Sequence, residues 1–557
     1  MQKPKKQSEP PKRSIGRLIL FAVGAFFVLI AALILPMLSP ICSAIFQSPA
    51  RKEFNRGMSI FQKDRTQGRA VVENALQQAD KNGDSRYDRM EMHKAYAEAL
   101  TDSGDYKAGY KQLDAAIALC PKDSRLNNME AVSLATVYQE KANKESWLWV
   151  DNNHTGPNGL QDQEMSVSIA EKNLGPDDRE TVYKLPLLAV IYADVGEKAK
   201  ADKTMQRALD AIKRKPDLAE IATYAHMYNA RMLAIEHKYK ESLAELLLAR
   251  SLTNDDDMQT RIYQEWHNGL TQDAPWEFPE LGEAKPAFEK GDWAKIELVC
   301  AKLVKDRRPC ADGSAKIDRF FDGFALDKAS LTGDDYEHNL NKLAKWLAKY
   351  PQSPFARAAL AECWMHYAWY SRGHGYGDSV TQDQWKKFSE RTDQARAVLD
   401  DGVKLYDKNP RIYTDYAGVA LNQSWPDKQY MDMVNACHKQ WPEYLQIDKT
   451  TCNWLLPQWH GSEGALKQYV LSRAEAAGKT KGDEVYAQLV SSIPYVFYPN
   501  NPYFKADMFD WNRIKKGYHQ IFQDYPHSYQ MRSFYLCLAI AYKDEQAVKT
   551  AMDGFKP

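Results

Sequence analysis

Residues 90–123, MEMHKAYAEALTDSGDYKAGYKQLDAAIALCPKD, restrict the fold more than any other stretch of this chain. Ala97 and Leu100, then Leu113 and Ala116, set small and apolar side chains at helical spacing on two successive segments. Gly104 and Tyr106 fall at the turn between those segments, and Pro121 stops the second one. A helix–turn–helix of this size leaves an apolar face that it cannot bury alone. It needs copies stacked on both sides, so the pattern implies an α-solenoid.

The pattern returns downstream. Ser124–Lys141 reads as another first helix, with Ala135 and Tyr138 in register, followed by an Asn-, Gly- and Trp-rich insertion from Asn143 to Asp162. Ala189, Tyr192, Gly196, Ala201, Met205 and Ala208 make a unit over 182–215, and Ala230, Leu233, Tyr239, Leu246 and Ala249 another over 223–256. These positions match tetratricopeptide repeats. With the turn Leu174-Gly175-Pro176, the segment EKNLGPDDRETVYKLPLLAVIYADVGEKAKADKTMQRAL resembles the repeats of kinesin light chains, although Lys198 stands where that family prefers an aromatic residue. The resemblance implies tetratricopeptide-like helical repeats over 50–256 that bind protein partners.

An acidic cluster, Asp255–Asp257, then Pro275, Pro279 and Gly282, mark a linker over 257–283. Beyond it the pattern stays helical, with Pro351, Pro354, Pro410, Pro426 and Pro442 at helix starts or just past helix ends. An aromatic-rich helix carries Trp369, Arg372, Gly373 and Gly375, and Leu456, Pro457, Trp459, Gly461 and Ser462 follow later. This pair of motifs resembles the bacterial family called domain of unknown function 4034, over 284–557. The resemblance implies a second helical domain and no reaction.

At the other end, a basic tail over 1–17 precedes Leu18–Leu35, a stretch without one charged residue. At 1.5 Å per residue this stretch reaches about 27 Å, close to a bilayer's hydrocarbon core. Residues 18–38 therefore read as a transmembrane anchor. With Lys12, Arg13 and Arg17 held cytoplasmic, the bulk of the chain is expected on the periplasmic side of a bacterial inner membrane. The expected fold is all-α: an N-terminal transmembrane helix, a tetratricopeptide-like solenoid and a second helical-repeat domain. In an oxidising compartment Cys300 and Cys310 are spaced to close a small loop as a disulfide.

Lys plus Arg equals Asp plus Glu at 74 each, which argues against a nucleic-acid partner. The absence of Cys-x-x-Cys and His-Glu-x-x-His argues against zinc. Two local constellations invite a ligand. Asp80, Asn82, Asp84, Asp88 and Glu91 set oxygen atoms at the positions of a calcium loop, with Ser85 where such a loop needs glycine. A polar turn at the entrance to the next helix accounts for the same residues. Arg372 and His374, with Trp369, Trp459 and His460, offer a polar-aromatic pocket, against the alternative of a glycine-rich helix end. No residues present themselves as catalytic. The function expected is a membrane-anchored scaffold for protein–protein interaction in the cell envelope. Two alternatives stand beside it: a receptor or enzyme for envelope glycan or peptidoglycan fragments, and a calcium-responsive scaffold.

Overall fold

The computed structural model describes residues 47–555, apart from 63–64, 103–104, 122–123, 152–157, 272–280, 325, 327–330, 374–376, 378–379, 403–404, 406–407, 463 and 494–507. Every regular element among the described residues is helical. The chain divides into two compact units at Met92 and His93.

The first unit holds α1 (Pro49–Phe61), α2 (Arg65–Asn82) and the start of α3 (Arg86–Asp102). Ser48 caps α1 by accepting from the Arg51 amide at 3.1 Å, with Pro49 in the first turn. Phe54, Phe61, Val72 and Leu76 form the buried seam between α1 and α2. The two backbones approach so closely that a Cβ on Gly68 would lie 2.2 Å from the Phe61 Cα.

The second unit continues with α4 (Tyr106–Ala118), α5 (Asn128–Asp151), α6 (Leu160–Leu174), α7 (Arg179–Asp194) and α8 (Lys198–Arg214). After a 3-10 turn at Pro216–Ile221 come α9 (Ala222–Ile235), α10 (Tyr239–Ser251) and α11 (Asp256–Thr271). Then follow α12 (Leu281–Lys290), α13 (Trp293–Lys305), α14 (Lys316–Asp322), α15 (Gly333–Lys349), α16 (Pro354–Arg372) and α17 (Gln382–Asp400). The last group is α18 (Arg411–Asn422), α19 (Asp427–Gln440), α20 (Leu445–Trp454), α21 (Ala465–Ala476), α22 (Gly478–Ser491), α23 (Trp511–Asp524), α24 (Tyr529–Ala541) and α25 (Glu545–Asp553).

One corner recurs through both units and explains the repeat. At seven helix ends an amide reaches back to the carbonyl five residues earlier: Asp84 to Ala79, Asp105 to Leu100, Glu197 to Tyr192, Lys238 to Leu233, Asp292 to Ala287, Trp425 to Ala420 and Asp544 to Ala539, at 2.8–3.0 Å. The bond caps an otherwise orphaned carbonyl and turns the chain into the next helix. It requires a left-handed residue just before the donor. Gly83, Gly196 and Gly291 supply it at φ 68°, 84° and 66°, while His237, Ser424 and Lys543 adopt it at φ 61°, 50° and 55°. A second corner joins some of the hairpins: Tyr350-Pro351, Trp441-Pro442 and Tyr525-Pro526 each end a helix through an i−4 bond from the aromatic residue's amide.

Two apolar cores result within the second unit. One gathers α6–α11 together with residues from α20–α25, so sequence on both sides of 257–283 shares it. The ring of His267 in α11 stacks 5.6 Å from that of Phe534 in α24, and its Nδ1 lies 2.5 Å from Ser533 Oγ. The other core gathers α12–α20 around Trp346, whose ring stacks parallel to that of Trp293 at 5.5 Å.

The expectation of a transmembrane helix, and with it a single-pass inner-membrane protein, is corrected. No helix of the described residues is long and apolar enough to cross a membrane. The longest, α5, carries Glu130, Glu140, Lys141, Lys144 and Glu145. The segment assigned to the anchor, 18–38, lies outside the described residues. The Cys300–Cys310 disulfide is not formed: both residues are buried thiols. Cys300 packs in the α12–α20 core, and the short loop is closed instead by the Cys310 amide donating to Ser314 O at 2.8 Å.

Candidate functional site

A cleft of about 570 Å³ in the second unit opens where the two cores face each other. One wall comes from α14, α16 and α18, which contribute Asp318, Glu362 and His366, and Arg411 and Asp415. The other comes from α20, α22 and α24, with Lys449, Asn453, Gln488, Ser491, Gln530 and Phe534. Helical spacing sets the pairs: Glu362 and His366, like Arg411 and Asp415, are four residues apart and share a helix face.

Arg411 is the centre of the first wall. Its backbone amide is held by Asn409 Oδ1 at 3.1 Å, which fixes the start of α18. The guanidinium is 9% exposed and meets three carboxylates. Nη2 bonds Glu362 Oε1, Nη1 lies 3.5 Å from Asp318 Oδ1, and Nε lies 3.9 Å from Asp415 Oδ1. Nη1 also donates to Asp318 O at 3.1 Å, and the guanidinium carbon sits 4.8 Å from the centre of the Phe321 ring. Tyr444 donates its hydroxyl to Asp318 Oδ1 at 3.0 Å.

One cation among three carboxylates leaves the acids unevenly poised. Burial pushes the Asp318 carboxyl up to about 6, against the pull of Arg411. Burial drives Asp415 well above the usual carboxylate range, with Arg411 again opposing. Glu362 pays the same cost of burial, yet Arg411 and His366 hold it below its ordinary value. The arrangement sets carboxyls shifted in opposite directions side by side. On the far wall Asp312 is buried too, but Lys449 at 3.2 Å and Arg319 at 2.6 Å keep its carboxyl low.

A second hollow, about 320 Å³, lies among α5, α7, α9 and α11. Alternate helices line it, as the inner layer of stacked helix pairs does. Tyr183 and Tyr224 meet edge to face at 5.5 Å, and Arg261 lies over Tyr224 at 5.7 Å while donating to the Tyr228 hydroxyl at 2.9 Å. Lys184 is 1% exposed and donates to Gln139 Oε1 at 3.1 Å. Burial lowers the Lys184 ammonium from its ordinary value, with Glu180 opposing.

The residues singled out in sequence fall in other settings. Arg372 sits over the rings of both Trp369 and Trp385, at 5.3 and 5.2 Å, and donates to Gly373 O at 3.0 Å. Trp369 and Trp385 are 37% and 40% exposed. His460 stacks on Trp454 at 3.7 Å, which stacks on Tyr430 at 3.9 Å, and its Nδ1 lies 3.3 Å from Asp427 Oδ1. Trp459 is 45% exposed. His374 lies outside the described residues. Gly461 serves the backbone, since a Cβ there would meet Leu455 O at 1.8 Å.

Asp80 and Asn82 lie in the last turn of α2, Asp84 in the αL corner, Asp88 in the first turn of α3 and Glu91 further along α3. Arg89 Nη1 is 3.0 Å from Asp80 Oδ1, Ser48 Oγ donates to Asp84 Oδ2, and Ser85 Oγ donates to Asp88 Oδ2. Among the described residues no group of three or more His, Cys, Asp or Glu side chains is arranged to hold a metal ion.

No family model matches the chain, and no curated protein matches it. Among solved structures it is similar to a circular tandem repeat protein with novel repeat topology and enhanced subunit contact surfaces. The identity is 12%, over 91% of this chain and 96% of that one, with a TM-score of 0.14. A score at that level carries no argument about fold or function.

Proposed function

We propose that this chain is a helical-repeat binding protein that holds an extended segment of a partner protein in the hollow among α5, α7, α9 and α11. The observation that carries this reading is the lining of that hollow: three tyrosines with two fixed cations on alternate helices. Tyr183, Tyr224 and Tyr228 supply flat faces at low entropic cost. Lys184 and Arg261 supply donors whose positions are set before a ligand arrives. A peptide backbone presents carbonyl acceptors that such donors can meet.

Photocrosslinking in cells tests the reading. A photoreactive residue at Tyr224 is expected to capture a discrete protein, and one at Lys203 on α8 is not. Capture at Tyr224 should fall several-fold in a Tyr228→Ala, Arg261→Ala background. Equal capture at both positions, or none at Tyr224, overturns the proposal.

A further inference from the structure

We propose that Asn82, at the corner between α2 and α3, is a site of spontaneous deamidation, in which the Gly83 amide closes on the asparagine side chain and water opens the ring to aspartate or isoaspartate. This chemistry is independent of the hollow proposed for a protein partner.

The chain holds three Asn-Gly pairs: Asn82-Gly83, Asn158-Gly159 and Asn268-Gly269. A glycine after asparagine favours ring closure, because no Cβ shields its amide nitrogen. That nitrogen must still swing over to the asparagine Cγ. A regular helix holds it away with the amide engaged in a backbone hydrogen bond, and close packing on the glycine blocks the movement. The fold treats the three pairs differently on these two counts.

Asn268 and Gly269 lie inside α11. A Cβ on Gly269 would stand 2.8 Å from Arg231 O, so the backbone there is pressed against α9. Asn158 is fastened by its Oδ1, which accepts from the Leu160 amide at 3.1 Å. Gly159 is tighter still, since a Cβ there would stand 2.2 Å from Ala142 O. Swinging either amide means opening a packed contact.

Both restraints are missing at Asn82-Gly83. Asn82 is exposed and is the last residue of α2. Gly83 is exposed too, with nothing within 4 Å of the place its Cβ would take. Its amide donates only to Asp80 O, at 3.3 Å, a long bond at a helix end. Fraying of the last turn is the cheapest opening a helix has, and here it releases the asparagine and the amide together.

In the first step Gly83 N bonds to Asn82 Cγ and the Cγ–Nδ2 bond breaks. Ammonia leaves, carrying the proton of the Gly83 amide. Water then cleaves the cyclic imide. Cleavage between Gly83 N and Cγ gives aspartate, and cleavage at the Asn82 backbone carbonyl gives isoaspartate, with the chain rerouted through the side chain. Either product sets a carboxylate at the C-terminal end of α2, where the helix dipole disfavours it. Isoaspartate also lengthens the chain between the Ala79 carbonyl and the Asp84 amide, whose 3.0 Å bond makes the corner. The first corner of the repeat therefore loosens as the protein ages.

The test is incubation of the full chain at mildly alkaline pH, folded and in urea, with peptide mass spectrometry following amide-to-acid conversion at each pair. In the folded chain Asn82 is expected to convert at least tenfold faster than Asn158 or Asn268, with isoaspartate among its products. In urea the three rates should draw together, because only the fold separates them. Gly83→Ala should slow conversion at Asn82 by tenfold or more. Equal rates at the three pairs in the folded chain, faster conversion at Asn158 or Asn268, or an advantage of Asn82 that persists unchanged in urea overturns the proposal.

Discussion

Arg231 donates through Nη2 to Oδ2 of Asp194 at 2.9 Å, and through Nη1 to Glu265 Oε2 at 2.6 Å, so one buried guanidinium ties α9 to α7 and α11. Arg231 and Asp194 side chains are 8% and 1% exposed. Breaking such a pair strands a charge in the interior, which costs about 3–5 kcal/mol. Arg231→Leu should therefore lose that much stability in urea unfolding of the full chain. Arg207→Leu removes a half-exposed partner of Glu171 and should cost no more than about 1 kcal/mol. Equal losses from the two would show that Arg231 does not tie the helices together.

Asp448 predicts a similar cost in the C-terminal half. Its side chain is fully buried, and Oδ1 accepts from the Tyr469 hydroxyl at 2.6 Å and Arg473 Nε at 2.8 Å, with His438 Nε2 also at 2.8 Å. Asp448→Ala leaves these donors facing an empty site and should cost about 3–5 kcal/mol. Asp432, which pairs with Lys428 at the surface, is the control, and its alanine variant should stay within about 0.5 kcal/mol. Thermal unfolding that fails to separate the two would reject the Asp448 assignment.

Glycines test a close helix–helix contact and, separately, the corner that builds the repeat. A Cβ on Gly517 would lie 2.1 Å from Asp483 O, so Gly517→Ala must push α23 off α22 and should cost about 2–3 kcal/mol. Gly196 has open space around it, and only its left-handed backbone resists substitution. Gly196→Ala should cost about 1 kcal/mol, and Gly196→Asn less. A Gly517→Ala protein as stable as wild type would remove the close contact between those helices.

The corner was legible in sequence, and the cleft was not. Gly83-Asp84, Gly196-Glu197 and Gly291-Asp292 are one recurring signal, a left-handed residue followed by an acid ahead of a helix. Read singly, the first of them imitates a calcium loop. Read as a series, it is a repeat corner. The cleft draws Asp318, Glu362 and Asp415 from three helices, and no local spacing joins residues so far apart in the chain. The signal available was narrower: Glu362/His366 and Arg411/Asp415 place charge four residues apart on helices that are otherwise mostly apolar. The Trp369–Arg372 cluster drew notice because tryptophan is conspicuous, yet its two indoles already grip the arginine.

Asp318 yields a pH dependence of unusual sign. A carboxyl raised from 3.8 to about 6 binds its proton more tightly in the folded chain than in the unfolded one. Its contribution is therefore complete below pH 4 and is lost as pH rises through 6. About two units correspond to roughly 3 kcal/mol at most. Asp318→Asn removes the charge while its amide oxygen can still accept from Tyr444. Taking the difference between variant and wild type cancels the contribution of groups such as Asp415 to first order. That difference should be small at pH 4 and should favour the variant by about 1–3 kcal/mol at pH 7.5. Greater stability of the wild type at pH 7.5 would mean that Arg411 and Tyr444 already satisfy the Asp318 carboxylate.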